Sequence, residues 1–274
     1  MDVRRRSLLL TGGALAVSGA SATDSGSKPK SLSKKATYVL VHGGGHGGWC
    51  WQRVAVKLRA QGHEVYTPTM TGLGERSHLL NPSVDLDLHI KDIANVLEYE
   101  DLTGVILVGH SYGGMVITGI ADRALDRVGQ LVYLDAAHPK NGDSLVTVTH
   151  GGISSTRKTG RVVDGIELVT WPGPELLQTL GVTKPEDVAW LMKELTPQPW
   201  KCFEQPLTLD NEAAVMKIPR TDIWRSMVLR QLDPDGSKRA AMANRVWEID
   251  SPAHDLMVTD PQPVADMLLR LAAI

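Results

Sequence analysis

The most informative segment of the chain is Val105-Ile106-Leu107-Val108-Gly109-His110-Ser111-Tyr112-Gly113. Its first four residues are apolar and mostly β-branched, which predicts a short buried strand of a parallel sheet. The apolar, proline-free run Met115–Ala121 that follows predicts a buried helix. Between the two, the pattern G-x-S-x-G is typical of a tight strand-to-helix turn, the nucleophile elbow, which lifts a serine hydroxyl clear of the sheet.

This turn makes Ser111 a candidate nucleophile. Strand and helix approach closely at such a turn, so small residues are needed on both sides of the serine, here Gly109 and Gly113. The N–H of Tyr112 and the amino end of the helix would face negative charge that develops on a substrate. G-x-S-x-G also occurs without any function, so the alternative is a glycine-flanked turn with an incidental serine.

Composition places the chain among globular proteins with one large domain. Its 274 residues are 42% hydrophobic and 22% charged, and the formal net charge is −2. The sequence shows no basic stripe with interleaved aromatic residues, so a nucleic-acid partner is not expected. Two cysteines, Cys50 and Cys202, form neither a disulfide framework nor a metal-binding motif.

Residues 1–22 carry the pattern of an export signal. Arg4-Arg5-Arg6 precedes a short apolar stretch that ends in Ala20-Ser21-Ala22, the order found in secretory signal peptides. The arginines before Ser7 also resemble a twin-arginine signal. We expect export to the periplasm or out of the cell; the alternative is a frayed N-terminal helix. The Ser- and Lys-rich composition of residues 23–36 predicts a flexible leader. No membrane-spanning run is expected after processing.

Apolar segments with strand and helix periodicity alternate along the rest of the chain. This alternation implies right-handed βαβ units, and hence an α/β domain with a parallel sheet over residues 37–274. The predicted strands cover 37–41, 64–67, 105–108, 131–134, 220–227 and 246–249, and the predicted helices cover 49–61, 86–102, 115–121 and 261–273.

The alternation breaks over residues 140–216, which we interpret as a lid inserted between two strands. This segment is rich in glycine, proline and tryptophan and shows short helical stretches at 175–180 and 186–195. The expected arrangement is a helical lid above the ends of the strands. Its tryptophans either pack the lid onto the body of the domain or contact the substrate directly.

A second glycine-rich turn follows the first strand and opens a helix. Beginning at Gly43, it fits G-x-G-x-x-G, the fingerprint of dinucleotide-binding domains. That function needs an acid at the end of the next strand, whereas residues 66–69 read Tyr-Thr-Pro-Thr. We therefore favour an oxyanion loop, in which the N–H groups of Gly44 and Tyr112 face the reacting oxygen.

His42 and His46 are spaced as H-x3-H within this turn. On a helix this spacing would indicate zinc, but in a glycine-rich loop the two rings do not share a face. No metal site is expected, and His46 is predicted to line the substrate pocket.

The general base must be a histidine that reaches Ser111. His254 lies in the loop of residues 251–255, between the last predicted strand and the last predicted helix. The resulting order, serine before histidine, is the one that accompanies a nucleophile elbow. The alternative for His254 is a surface loop residue. His110 is expected to pack inside the domain, and four other histidines are expected in exposed segments: His63, His78, His89 and His150.

The acid that orients the base has three candidates. Asp135 directly follows the strand 131–134, near the edge at which the serine is expected, and we favour it. The commoner position is after the following strand, 220–227, where the first acids are Asp233 and Asp235. These two aspartates remain alternatives.

These motifs together resemble the α/β-hydrolase superfamily. The loop His42-Gly43-Gly44-Gly45-His46-Gly47-Gly48-Trp49, the elbow and His254 are similar to the branch that holds plant methyl esterases, hydroxynitrile lyases and bacterial esterases. The likeness covers residues 37–139 and 218–273. It implies a mostly parallel, doubly wound sheet with an inserted helical lid.

Details of this resemblance bear on the acid and on the reaction. Bacterial members often resemble this chain at Leu131–Asp135. Several of them lack an acid after the next strand, which supports Asp135 as the acid that orients the base. The lyases place a lysine beside the base, whereas this chain has Asp255, so cyanohydrin cleavage is disfavoured. Ser111 excludes members with an aspartate nucleophile, such as dehalogenases.

The sequence therefore predicts a serine hydrolase for a small ester, carbamate or related acyl compound. Ser111 attacks the carbonyl after His254 takes its proton, and Asp135 orients His254. The N–H groups of Gly44 and Tyr112 stabilise the oxyanion, and no cofactor is needed. The alternatives are a non-catalytic or slow small-molecule-binding protein on the same scaffold and a C–C lyase of the hydroxynitrile-lyase type.

Overall fold

A six-stranded parallel sheet forms the centre of the protein. The computed structural model describes residues 35–171, 173–229 and 234–274. The strands in these ranges are β1 (Thr37–Val41), β2 (Glu64–Tyr66), β3 (Val105–His110), β4 (Val128–Leu134), β5 (Arg161–Val163), β6 (Ile166–Val169), β7 (Gln198–Pro199), β8 (Arg220–Arg225) and β9 (Arg245–Ile249). The central sheet has the order β2-β1-β3-β4-β8-β9, and each neighbouring pair is parallel. The predicted α/β class is confirmed.

Helices cover both faces of this sheet. In the described ranges the α-helices are α1 (Gln52–Ala60), α2 (Leu86–Tyr99), α3 (Gly113–Arg123), α4 (Leu145–Val148), α5 (Pro174–Thr179), α6 (Pro185–Glu194), α7 (Lys201–Glu204), α8 (Glu212–Val215), α9 (Ser226–Leu229), α10 (Pro234–Ala241), α11 (Leu256–Thr259) and α12 (Pro261–Ala272). Short 3-10 helices cover Gly48–Trp51, Gly74–Leu79 and Gly152–Thr159. In β1, Tyr38 and Leu40 pack with α1 and α12, whereas Val39 and Val41 pack with α2 and α3. Because side chains alternate between two covered faces, β1 and β3 are mostly apolar.

The eighth strand is shorter than the sequence predicts. A strand over 220–227 was expected, but β8 ends at Arg225 and α9 begins at Ser226. The last pair in the ladder with β9 is Arg225 with Ile249, where β9 also ends. The Ser226 hydroxyl then donates to the Ile249 carbonyl at 3.2 Å. The prediction for the final two residues is wrong because the neighbouring strand offers no further backbone partners.

The segment between β4 and β8 is an insertion that contains the expected lid region, 140–216. It carries the short helices α4 to α8 and also a three-stranded antiparallel sheet in the order β5-β6-β7. The sequence predicted a helical lid, so this small sheet was not expected. Asp164 and Gly165 join β5 to β6 with positive φ angles of 51° and 76°, and this dipeptide favours a tight hairpin turn.

The predicted export signal, residues 1–22, lies outside the described residues, as does the leader apart from residues 35 and 36. Both stay predictions. In the part of the chain that the structure describes, no helix is both long and apolar enough to cross a membrane.

Candidate active site

Ser111 occupies the turn between β3 and α3. Its φ angle is 53°, a left-handed conformation that a residue with a side chain adopts at a cost. A Cβ atom on Gly109 would lie 2.6 Å from the Gly113 carbonyl, and one on Gly113 would lie 2.8 Å from the His42 carbonyl. Both flanking positions therefore require glycine, and the tight turn directs the serine away from the sheet.

A chain of hydrogen bonds connects Ser111 to two residues from distant parts of the sequence. His254, in the loop after β9, places Nε2 at 2.9 Å from Ser111 Oγ. The other ring nitrogen, Nδ1, lies 2.6 Å from Oδ2 of Asp135, which directly follows β4. The Asp135 N–H donates to the Ile223 carbonyl at 2.8 Å, which fixes the acid against the neighbouring strand. This arrangement allows His254 to accept the serine proton at Nε2 while Nδ1–H donates to the carboxylate.

Of the alternative acids, Asp235 does not take part in this hydrogen-bonded path. The Asp235 carboxylate pairs with Arg239 at 2.7 Å and its side chain is 42% exposed. Asp233 lies outside the described residues. Of the three sequence candidates, the structure therefore brings Asp135 to His254.

Burial and neighbouring groups shift the pKa values of Asp135 and His254. Burial raises the pKa of Asp135, but the hydrogen bond with His254 and the charge of Arg225 outweigh burial and hold that pKa below the usual range. Burial lowers the pKa of His254, yet the Asp135 hydrogen bond and the nearby Asp255 carboxylate raise it overall. At neutral pH Asp135 is therefore an anion that stabilises positive charge on His254.

Two backbone N–H groups flank the serine. Gly44 and Tyr112 line the same cavity as Ser111. In the described part of the chain, neither N–H group has a hydrogen-bond partner. Because Tyr112 also precedes the first turn of α3, the positive end of that helix dipole lies beside the serine. Two free donors near a nucleophile can stabilise an oxyanion.

Ser111 and His254 line two cavities. The first, the inner chamber, has a volume of about 120 Å³ and is mostly apolar. The second, the outer cleft, has a volume of about 700 Å³ and also includes Asp135 in its wall. Lid residues line both spaces, among them Leu145, Ile153, Leu176 and Leu180.

His46 lines the inner chamber and contacts the glycine-rich turn. Its Nδ1 lies 2.7 Å from the Gly44 carbonyl, and its Nε2 lies 3.0 Å from Oδ1 of Asp255. His42 does not share a site with it: Nε2 of His42 accepts the Met70 N–H at 3.1 Å. In the described ranges, no group of three or more metal-ligating side chains is found.

Residues 38–267 match the Alpha/beta hydrolase family. The chain belongs to this family. The hydrolase is 36% identical over 251 residues to a carbendazim hydrolyzing esterase of Nocardioides sp. (strain SG-4G), and the match covers 86% of this chain and 99% of that protein. It is 24% identical over 263 residues to Esterase PIR7B of Oryza sativa subsp. japonica, with 88% and 97% of the two chains covered. The family and these relatives identify a carboxylesterase-like hydrolase.

Solved structures show the same fold. The hydrolase is similar to an extracellular alpha/beta-hydrolase from a Paenibacillus species, with a TM-score of 0.70, 24% identity and coverage of 86% of this chain and 98% of that one. It is also similar to the methylesterase MES16 from Arabidopsis, with a TM-score of 0.69, 24% identity and coverage of 87% and 99%. The resemblance predicted from the sequence motifs is thus confirmed at the level of family and fold.

Two histidines of the hydrolase differ from their predicted exposure. His63 and His89 are buried, whereas His78 and His150 are exposed as predicted. His89 lies on the same buried face of α2 as Ile90 and Ile93. One of its ring nitrogens is 3.0 Å from the Tyr112 hydroxyl and the other is 3.0 Å from the Thr71 carbonyl. These partners satisfy a polar ring inside an apolar helix face, which hydrophobic periodicity cannot reveal.

Sequence reasoning also missed three side chains that support the site. Arg225 pairs with Asp135, Asp255 pairs with His46, and Gln198 accepts the Gly45 N–H at 2.8 Å. None of the three belongs to a recognisable motif. Arg225 does lie near the carboxyl end of the predicted strand 220–227, and Asp255 directly follows the predicted base; these two positions were the available signals.

Proposed function

We propose that this hydrolase cleaves small esters or carbamates through nucleophilic attack by Ser111. The observation that carries the proposal is the continuous hydrogen-bonded path from Ser111 through His254 to Asp135. The relative named as a carbendazim hydrolyzing esterase supports a small-molecule substrate for this chain. In this proposal the three residues act as nucleophile, base and orienting acid.

Acylation begins when Ser111 Oγ attacks the substrate carbonyl carbon. His254 Nε2 takes the serine proton as the new C–O bond forms, and Asp135 stabilises the resulting imidazolium. The carbonyl oxygen becomes negative and accepts hydrogen bonds from the N–H groups of Gly44 and Tyr112. When the tetrahedral intermediate collapses, the leaving alcohol takes the proton from His254, and an acyl- or carbamoyl-serine remains.

Deacylation repeats these steps with water. A water molecule that enters through the outer cleft gives its proton to His254 and attacks the acyl carbon. The second tetrahedral intermediate uses the same two N–H donors. Its collapse returns the proton from His254 to Ser111 Oγ and releases the carboxylic or carbamic acid.

The two cavities support a small substrate with unequal halves. The inner chamber, at about 120 Å³, admits only a compact and largely apolar group. The outer cleft, at about 700 Å³, has room for a larger group such as an aromatic ring system. A methyl ester or methyl carbamate of a planar ring system fits this division.

Replacement of Ser111 by alanine tests the nucleophile. We expect Ser111→Ala to keep the fold and to lose about 10³-fold or more in kcat, because no other group can form the acyl-enzyme. The assays are hydrolysis of p-nitrophenyl acetate and of carbendazim, with circular dichroism to verify folding. Ser83→Ala, at an exposed serine, is the matched control and should keep the wild-type rate.

Labelling separates this proposal from a binding protein on the same scaffold. A fluorophosphonate should label wild-type Ser111 stoichiometrically, and ester turnover should follow the unlabelled fraction. A wild type that binds esters without turnover, or a Ser111→Ala variant with near-normal turnover, would contradict the proposed function. Release of cyanide from a cyanohydrin by the wild type would instead support a lyase.

A further inference from the structure

Arg225 lies at the end of β8 and contacts both the acid and the loop that carries the base. Its Nε donates to Asp135 Oδ2 at 2.6 Å. The same oxygen lies 2.6 Å from His254 Nδ1. Its Nη1 donates to the Pro252 carbonyl at 2.8 Å. One guanidinium therefore connects Asp135 to the chain two residues before His254.

The surroundings make this contact strong. The Asp135 side chain is 3% exposed and that of Arg225 is 15% exposed, so the ion pair is largely shielded from water. Planar guanidinium groups can donate to two acceptors at once in a fixed geometry, which a lysine ammonium does not reproduce. Without Arg225, the Asp135 carboxylate would keep His254 as a partner but would lose its nearest positive charge.

We propose that Arg225 is a positioning residue: it holds Asp135 and the His254 loop in place, and its charge limits how readily His254 holds a proton. The inference rests on the function proposed above. Arg225 lies at the end of the strand after which α/β hydrolases more commonly carry the acid. The inference gives this residue a role in positioning the acid and the base.

The charges around His254 come from four elements. Asp135 follows β4, Asp255 is the next residue in the chain, Arg225 ends β8, and the buried His110 of β3 has its ring centre 4.7 Å from that of His254. The two carboxylates favour the protonated imidazole, whereas Arg225 opposes it. Burial lowers the pKa of His110 to about 3, so its ring is neutral at working pH. Removal of the Arg225 charge should therefore raise the pKa of His254.

The test compares Arg225→Gln and Arg225→Lys with the wild type. The acidic limb of the kcat/KM profile reports the pKa of the base in the free enzyme. For Arg225→Gln we expect this limb to move to higher pH by about 0.5 to 1 unit, with kcat lowered about tenfold. For Arg225→Lys the limb should stay within about 0.3 unit of the wild type, because the charge remains. Its kcat should be lowered several-fold, because an ammonium cannot hold both acceptors in the same geometry.

The control is Arg123→Gln. Arg123 ends α3 and pairs with Asp87 at the surface, so this variant removes an arginine charge from an ion pair that does not touch the site. Its pH profile and kcat should match those of the wild type. Thermal unfolding of each variant shows that the comparison is made on folded protein.

Three results would overturn the inference. The first is a folded Arg225→Gln with an unmoved acidic limb, and the second is an Arg225→Lys with full kcat. If Arg225→Gln does not fold, Arg225→Lys decides the question alone. The third is a wild type in which a fluorophosphonate fails to label Ser111, which overturns the proposed function as well. If the fluorophosphonate labels Ser111 but the pH profile of Arg225→Gln matches that of the wild type, only the role of Arg225 is overturned.

Discussion

Two adjacent residues of the loop after β9, His254 and Asp255, take part in two different His–Asp pairs. His254 pairs with Asp135, whereas Asp255 pairs with His46 at 3.0 Å. The Gly44 carbonyl can only accept a hydrogen bond, so Nδ1 of His46, at 2.7 Å, must carry a hydrogen. Burial raises the pKa of Asp255, but His46 holds it well below the usual range.

Because Asp135 and Asp255 pair with different histidines, mutation of one aspartate tests its role without removing the other pair. Asp135→Asn keeps the size of the side chain but removes the charge that stabilises the His254 imidazolium. We expect kcat to fall by about 10³ to 10⁴-fold, as for other triads that lose the acid. The measurement is steady-state hydrolysis of p-nitrophenyl acetate at neutral pH.

Asp235→Asn is the matched control for this prediction. Asp235 was an alternative acid in the sequence, and its carboxylate pairs with Arg239 rather than with His254. Its replacement should leave kcat near the wild-type value. A loss at Asp235 as large as that at Asp135 would show that the acid is supplied from α10.

At the scale of elements, the lid holds the glycine-rich turn in place as well as covering the site. We call residues 42–48 the glycine loop. Gln198 Oε1 accepts the Gly45 N–H at 2.8 Å, and the Thr196 N–H donates to the Gly45 carbonyl at 2.9 Å. Gly45 has a φ angle of 72° and lies against Trp171, where a Cβ atom would collide with the indole. The loop that carries Gly44 is thus fixed by the β7 region and Trp171.

Gln198→Ala tests this coupling. The change leaves the Gly45 N–H without its acceptor and frees the neighbouring Gly44 N–H to move. Because small displacements of catalytic groups are costly, we expect kcat to fall about tenfold with a smaller change in KM. The loss of a buried hydrogen bond should also destabilise the fold by about 1 to 3 kcal/mol. Steady-state kinetics and urea unfolding measure the two effects.

Gln262→Ala provides the comparison for this variant. Gln262 is an exposed residue of α12 that accepts a hydrogen bond from Lys57. Its replacement should change neither kcat nor stability appreciably. If Gln198→Ala lowers stability and leaves kcat unchanged, the lid does not position the glycine loop for catalysis.

At the scale of the whole molecule, several histidines are buried in neutral form. Burial lowers the pKa of His42 and His110 to about 3 and that of His89 to about 4. The corresponding value in an unfolded chain is about 6.5. Below that pH the unfolded chain binds protons that the folded protein does not, so acid favours unfolding. His254, whose pKa is raised, acts in the opposite direction near neutrality.

The expected result is a steep loss of stability between pH 6.5 and 4. Each of the three neutral histidines contributes a slope of about 1.4 kcal/mol per pH unit in this window. Urea unfolding at a series of pH values gives the free energy of unfolding and its slope. His89→Gln should reduce the slope by about one proton. A free energy of unfolding that is constant across the window would contradict the buried neutral state of these rings.

Local sequence rules predicted the parallel sheet, the elbow at Ser111 and the positions of His254 and Asp135. Strand and helix periods fix which segments pair, and the carboxyl ends of parallel strands meet at one edge. Residues placed just after those strands therefore come together even when they are distant in sequence. The same rules missed the hairpin of the lid, although Asp164-Gly165 is a recognisable turn signal.

Tertiary structure alone decided the supporting contacts. Gly45 and Gln198 are 153 residues apart, and Asp135 and Arg225 are 90 residues apart. No period or motif links such pairs, because their contact depends on how an irregular insertion and a strand end pack in three dimensions. The chain by itself thus specified where the candidate catalytic residues are placed, since sheet topology follows from local patterns. Which charges and hydrogen bonds surround those residues is decided only when the chain folds and brings distant segments into contact.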